Sequence, residues 1–195
     1  MKINEEVKLL LDFGMQPIAN RYLRNSADEE ILYNMKLGQC QNTGLIQLID
    51  PVPCDELVPR YDWITYMEPE DHLDDMVKRI LPFLPKDKVL EIGGVSFKDD
   101  SILKRFKKLG YETWMIDVEQ DLSLDSHLGI ESIQAAINKN VINKIVKRKG
   151  KSNFLIARHI FEHVYNLNDF LESLKSLIYH DGYILFEIPD STTSL

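Results

Sequence analysis

Lys88-Val89-Leu90-Glu91-Ile92-Gly93-Gly94 is the stretch from which the rest of the chain is read. A short apolar run that ends in an acid and two glycines predicts a buried parallel strand, with an exit turn where a ligand approaches the backbone. A helix pattern follows at once. A second apolar run, Tyr111-Glu112-Thr113-Trp114-Met115-Ile116, then ends on Asp117, roughly twenty residues past the glycines, the spacing at which a carboxylate reaches a ribose hydroxyl. A glycine pair after a strand is also an ordinary turn. The acid closing the second strand and the succession of elements favour a nucleotide-like ligand.

Working outward, the same rhythm holds on both sides. Upstream, Leu73, Met76, Val77, Ile80 and Leu81 share one helix face that Pro82 and Pro85 close. Downstream, Asp99 or Asp100 is placed to cap a helix that buries Ile102, Leu103, Phe106 and Leu109 and stops at Gly110. Ser123 to Leu128 reads as a short helix or loop, and Glu131 to Ile137 as the third strand. Asn138 to Lys149 groups Val141, Ile142, Ile145 and Val146 into a helix ended by Gly150. Asn153 to Ala157 is the fourth strand. Leu167, Phe170, Leu171, Leu174, Leu177 and Ile178 then recur at helical spacing behind an Asn cap, with the helix running out at Asp181-Gly182. The fifth strand, Tyr183 to Ile188, is cut off by Pro189. Strands alternating with helices imply parallel pairing and right-handed crossovers, hence a doubly wound α/β domain.

Residues 1–66 lack this alternation. Val7 to Phe13 is an apolar segment ending at Gly14, and Met15 to Asn20 reads as an irregular connection. Leu32 to Cys40 and Leu45 to Ile49 flank Gln41-Asn42-Thr43-Gly44 and predict a β-hairpin. Pro51, Pro53 and Pro59 then interrupt regular structure before the aromatic group Tyr61, Trp63 and Tyr66. A small mixed domain over 1–66, followed by the α/β domain over 67–195, is the expected organisation.

A net charge of −8 over 195 residues, with a pI near 5.1, argues against a nucleic-acid backbone as partner. The basic groups at Lys104 to Lys108 and Lys144 to Lys151 fall near helix ends and read as solvated surface that complements the helix dipole. No apolar run reaches membrane-spanning length, and the N-terminus lacks a signal-peptide core. The expected setting is therefore cytoplasmic. Two cysteines, Cys40 and Cys54, make no disulfide framework.

Three stretches carry a family resemblance: Asp12-Phe13-Gly14-Met15-Gln16-Pro17-Ile18-Ala19-Asn20, Val89 to Gly94, and Ala157-Arg158-His159-Ile160-Phe161-Glu162-His163 with the acid-ended strand Phe186-Glu187-Ile188-Pro189 behind it. In this order they resemble the class I S-adenosylmethionine-dependent methyltransferases that C-methylate nucleotide-linked deoxysugars. The resemblance implies a Rossmann-like sheet in the order 3-2-1-4-5 behind a small N-terminal domain. There are departures. The family's N-terminal domain binds zinc through paired Cys-x-x-Cys motifs, whereas this chain has Cys40-Gln41-Asn42-Thr43 and no earlier pair, so Cys40 reads as a small buried apolar residue and no metal is expected. The glycine loop runs on as Val95-Ser96-Phe97-Lys98-Asp99-Asp100 instead of Asn-Asp-Gly, and an aromatic pair carried as Tyr-x-Tyr stands as Tyr61-Asp62-Trp63.

The resemblance places Glu91, Gly93 and Gly94 against the methionine end of S-adenosylmethionine, Asp117 on its ribose, and His159 in the cofactor pocket. Without it, Glu91 is a surface acid at a strand end and Asp117 a helix cap. Methyl transfer to carbon needs a base to remove a proton beside a carbonyl, and an imidazole suits that step near neutral pH. His163 is the candidate base, with Glu162 positioning it or the substrate; the plainer reading has both residues merely bonding the backbone. Tyr61, Trp63 and Tyr66 cover the substrate or pack between the domains.

The leading expectation is methylation of a small molecule at carbon, on a nucleotide-linked keto sugar or related glycan precursor. O- or N-methylation on the same fold, or a degenerate scaffold without activity, are the alternatives. The family pattern has further strands beyond the fifth, which Ser191 to Leu195 cannot supply. A longer polypeptide, or a second subunit, is therefore expected to cover the fifth-strand edge.

Overall fold

A computed structural model describes residues 7–19, 21–58, 70–84, 91–96, 101–125 and 129–190. The chain divides into two compact units, Met1–Asp62 and Trp63–Leu195. The expectations for the aromatic group Tyr61, Trp63 and Tyr66, the Asp99 or Asp100 cap, and Val89 and Leu90 lie outside the described residues.

In the first unit, β1 (Val7–Pro17), β2 (Leu32–Cys40) and β3 (Ile46–Ile49) form an antiparallel sheet in that order. The hairpin forms where the Asn-Thr-Gly turn predicts it, with the Gly44 N–H donating to the Cys40 carbonyl at 2.9 Å. The irregular connection expected over Met15 to Asn20 starts later, at Ile18, because β1 continues through Pro17. Met15, Gln16 and Pro17 pair with Asn34, Tyr33 and Leu32, and the register shifts between Asp12 and Met15. Gly14 takes the left-handed φ of 67° there, so an extra residue is absorbed as a bulge and the strand continues.

The second unit is built on a four-stranded parallel sheet of β4 (Glu91–Ser96), β5 (Glu112–Met115), β6 (Ser152–Arg158) and β7 (Ile178–Glu187), ordered β5-β4-β6-β7. Its helices are α1 (Leu73–Ile80), α2 (Ser101–Lys108), α3 (Ile130–Ala136), α4 (Lys139–Lys149) and α5 (Leu167–Ser176). Side chains alternate along β6 with period two. Phe154 and Ile156 pack with Leu73, Val77 and Ile80 of α1 and Ile102, Leu103 and Phe106 of α2. Leu155 and Ala157 pack with Ile133 of α3, Ile142 and Ile145 of α4, and Phe170 and Leu174 of α5. Helices thus cover both faces, as in a Rossmann-like fold. No helix among the described residues is long and apolar enough to cross a membrane.

Three expectations are corrected here. Glu131 to Ala136 is helical, not the third strand, and Ile137 caps the helix: Ile130, Ile133 and Ile137 are the buried apolar positions, a helical spacing, and the residues between them include the good helix formers Glu131, Gln134, Ala135 and Ala136. Among the described residues the order is therefore 2-1-4-5 in the expected numbering, without strand three. The helix α5 ends at Ser176, and Asp181-Gly182 sit inside β7, where four residues bulge between the Ser152–Ile178 and Phe154–Tyr183 pairs. The glycine pair does not turn the chain. β4 runs through Gly93 and Gly94 to Ser96, pairing with Trp114 and Met115 on one side and Leu155 and Ile156 on the other.

Candidate functional site

In a parallel sheet the connections leaving the carboxyl ends of the strands gather at one edge. That edge is marked by Ser96, by Asp117 just past β5, by Arg158 and His159 at the end of β6, and by Glu187 at the end of β7. Glu91 is not there. It opens β4, about 16 Å before the strand's carboxyl end at roughly 3.3 Å per residue, and a Cβ at Gly150, the residue that ends α4, would lie 3.5 Å from its Oε2. The strand's continuation past the glycines is what moves Glu91 to the opposite edge.

Gly93 and Gly94 serve packing in this arrangement. A Cβ at Gly93 would stand 2.7 Å from the Trp114 ring and 2.9 Å from Leu155, and one at Gly94 would stand 2.6 Å from Leu103. The volume that the sequence reading gave to a ligand holds the protein's own side chains.

Asp117 is held in a tight turn. Its Oδ1 accepts from the Gln120 N–H at 2.8 Å, and its own N–H donates to Asp121 Oδ2 at 2.7 Å. Asp121 is buried between Arg148 and Lys149, the latter 3.1 Å away, and Lys149 Nζ also donates to the Met115 carbonyl at 2.6 Å. The basic end of α4, read as solvated surface, instead ties down the loop after β5. The Asp117 carboxylate at this edge fits the ribose end of S-adenosylmethionine, while Gly93 and Gly94 pack against Trp114, Leu155 and Leu103.

Arg158 and Glu187 form the buried centre of the edge. Arg158 is 1% exposed and grips Glu187 through Nε–Oε2, with a second bond from Nη2 to Oε1 at 3.3 Å. The same Oε1 lies 2.7 Å from His72 Nε2 and 3.3 Å from His159 Nε2. Burial pushes the Glu187 carboxyl up, but the hydrogen bonds from Arg158 and then His72 outweigh it and hold the group below the ordinary carboxylate range. His159 takes a left-handed φ of 47° and donates its N–H to the Glu187 carbonyl at 3.0 Å. Backbone strain of this kind is costly and collects at functional edges.

Glu162 and His163 lie on one 3-10 turn, Phe161–His163, yet face different partners. Glu162 is 3.8 Å from His159 Nδ1. His163 Nδ1 is 3.3 Å from Glu131 Oε1, a carboxylate of α3, so Glu162 is not the acid that holds this imidazole. The Glu131 contact raises the His163 pKa above its ordinary value against the pull of burial, and the Glu162 charge adds to the rise. Glu131, Glu187 and His72 were not among the predicted site residues. Glu187 carries the same signal as Asp117, an acid closing a strand; Glu131 was hidden by the strand assignment.

Residues 57–195 match a family model described as "Methyltransferase domain", and residues 4–57 match one described as "Putative zinc binding domain". With the doubly wound sheet, the larger match shows that the chain belongs to the class I S-adenosylmethionine-dependent methyltransferases. It is similar to the C-methyltransferase NovU of Streptomyces niveus, 22% identical over 188 residues that cover 92% of this chain and 44% of NovU. The chain thus spans less than half the length of that relative. The zinc description does not fit its residues: the sequence has two cysteines, and among the described residues no group of three His, Cys, Asp or Glu side chains is placed to hold a metal ion.

Proposed function

We propose that the protein methylates a carbon atom beside a carbonyl in a nucleotide-linked keto sugar or related glycan precursor, with S-adenosylmethionine as donor. The observation that carries this reading is the stationing of Asp117 and His163 on the connections that leave the carboxyl edge, within a chain similar over 92% of its length to a C-methyltransferase. When bound, the cofactor supplies an electrophilic methyl group on sulfonium. Asp117 accepts from the ribose hydroxyls through the oxygen not engaged by Gln120. His159 shapes the wall beside it, fixed by Glu187. His163 takes the proton from the acceptor carbon, leaving an enolate at the carbon to be methylated. A chain with a net charge of −8 suits a small acceptor better than a nucleic acid.

Calorimetric titration with S-adenosylhomocysteine tests the cofactor half. Asp117→Ala should weaken binding by roughly 1 to 3 kcal/mol through lost ribose hydrogen bonds; unchanged affinity refutes the assignment. Exchange of the acceptor's α-hydrogen in D2O tests the base, and His163→Ala should abolish it while S-adenosylhomocysteine affinity stays intact.

A further inference from the structure

The turn that bears His163 is fastened by one face of α3. Glu131 and Gln134 are three residues apart, so both side chains project from the same side of the helix. Glu131 Oε1 meets His163 Nδ1 at 3.3 Å. Gln134, itself 5% exposed, accepts the Tyr165 N–H at 3.3 Å through Oε1 and donates through Nε2 to the Glu131 carbonyl at 2.9 Å. Two side chains of one helix therefore hold the segment at two points, two residues apart. We propose that Glu131 is the positioning residue for the base His163, holding the proton on Nδ1 and turning Nε2 toward the acceptor.

The inference rests on the reading of His163 as base and adds the residue on which it depends. A carboxylate at one ring nitrogen fixes the tautomer and leaves the lone pair on the other. Among the described residues no partner of Nε2 is present. Among the described residues the charged groups facing the imidazole are Glu131 from α3 and Glu162 on its own turn. The histidine and Glu131 side chains are 35% and 25% exposed, so the pair is partly withdrawn from water. In the step itself the acceptor's C–H bond breaks, its proton goes to Nε2 and its electron pair enters the enolate; with S-adenosylmethionine bound, that carbon would gain the methyl as the methyl–sulfur bond breaks and S-adenosylhomocysteine leaves. Glu131 remains ionised throughout and stabilises the imidazolium that forms. A lone exposed ion pair would do little. The Gln134 clamp beside this one makes the pair a fixed geometry.

The experiment is a long-range 1H–15N NMR titration of His163 in the wild-type protein, Glu131→Gln and Glu131→Asp, with circular dichroism and S-adenosylhomocysteine affinity as fold controls. Wild type should show the Nδ1–H tautomer and a pKa above 6.5. Glu131→Gln should lower that pKa, because the carboxylate that stabilises the imidazolium is gone, and Glu131→Asp should restore part of the loss. With a nucleotide-linked keto sugar and S-adenosylmethionine, Glu131→Gln should lower kcat at least tenfold with little change in KM, and move the rise of kcat/KM with pH to lower pH. A wild-type Nε2–H tautomer, an unchanged pKa in Glu131→Gln, or unchanged kcat in that variant overturns the inference. Retained turnover in His163→Ala overturns the base reading instead, so the two failures are told apart by different variants. If Glu131→Gln does not fold, the wild-type tautomer and the Glu131→Asp shift still decide.

Discussion

Arg158 and Glu187 are register partners at the carboxyl ends of neighbouring strands, and their side chains close a two-point ion pair across the edge where the site lies. Taking both charges out of water is costly, and the geometry offsets the cost only while both partners stand. Arg158→Met should therefore destabilise the second unit by about 3 kcal/mol, the low end for a broken buried pair, because His72 and His159 still face Glu187. The double variant Arg158→Met/Glu187→Leu should recover much of this loss. Urea unfolding of the three proteins checks both statements. The folded-state pKa of Glu187 is depressed, so its contribution is present above the ordinary value of 4.5 and lost as pH falls through the folded value. The cost of Arg158→Met should shrink over that acid range.

The Glu131–His163 pair has a pH window of its own. The histidine pKa is raised, so its contribution is complete below 6.5 and is lost as pH rises through the folded value. The Glu131 pKa is lowered: burial raises it, but the hydrogen bonds from His163 and from its own backbone outweigh burial, so that contribution is complete above 4.5 and lost as pH falls through the folded value. The stability gap between wild type and Glu131→Gln should be widest between these two limits and narrow as pH rises through the raised histidine value. A gap independent of pH would mean that the two groups do not titrate against each other.

Gly93 lacks a side chain because Trp114 and Leu155 fill the space where its Cβ would stand, 2.7 and 2.9 Å away. Its φ is not in the left-handed region, so conformational strain is not the reason. Gly93→Ala should cost about 1 to 3 kcal/mol by overpacking, measured by thermal unfolding without any ligand. If instead the variant is as stable as wild type and loses only S-adenosylhomocysteine affinity, the glycine borders the ligand and not the core.

These cases mark how far the residues could be read before folding. Four of the five expected strands form, because Ile92, Trp114, Leu155 and Leu185 belong to short apolar runs that only a sheet buried on both faces can use. The failures share one cause. Whether Ile130-Glu131-Ser132-Ile133 is strand or helix, and whether Gly93 ends a strand or lies within it, depends on what packs against each, and that is a long-range fact. The site divides the same way. The position of Asp117 at the carboxyl edge was legible because its signal is local, an acid after a strand. The partner of His163 was not, since Glu131 lies 32 positions earlier on an element read with the wrong period.

The first unit supplies the last test. Its match to a zinc-binding description covers residues 4–57, and Cys40 keeps one trait of a metal-binding turn: its Sγ accepts the Thr43 N–H at 3.4 Å. Yet Cys40 is 2% exposed, and Thr43 stands where a second thiolate would complete a Cys-x-x-Cys knuckle. Tetrahedral zinc draws four ligands, commonly from two such knuckles. With two cysteines in the whole chain, the turn is held by the hydrogen bonds of Gly44 to the Cys40 carbonyl and of Cys40 to the Leu45 carbonyl, both at 2.9 Å. The expected result is no stoichiometric zinc by mass spectrometric metal analysis, and a melting temperature that chelator does not move. Cys40→Ala should still lower stability by about 1 kcal/mol or more, as an emptied packing position does. One zinc per chain, lost in Cys40→Ser together with the chelator-sensitive part of the stability, would show that ligands from elsewhere complete the site and that the turn is a working knuckle.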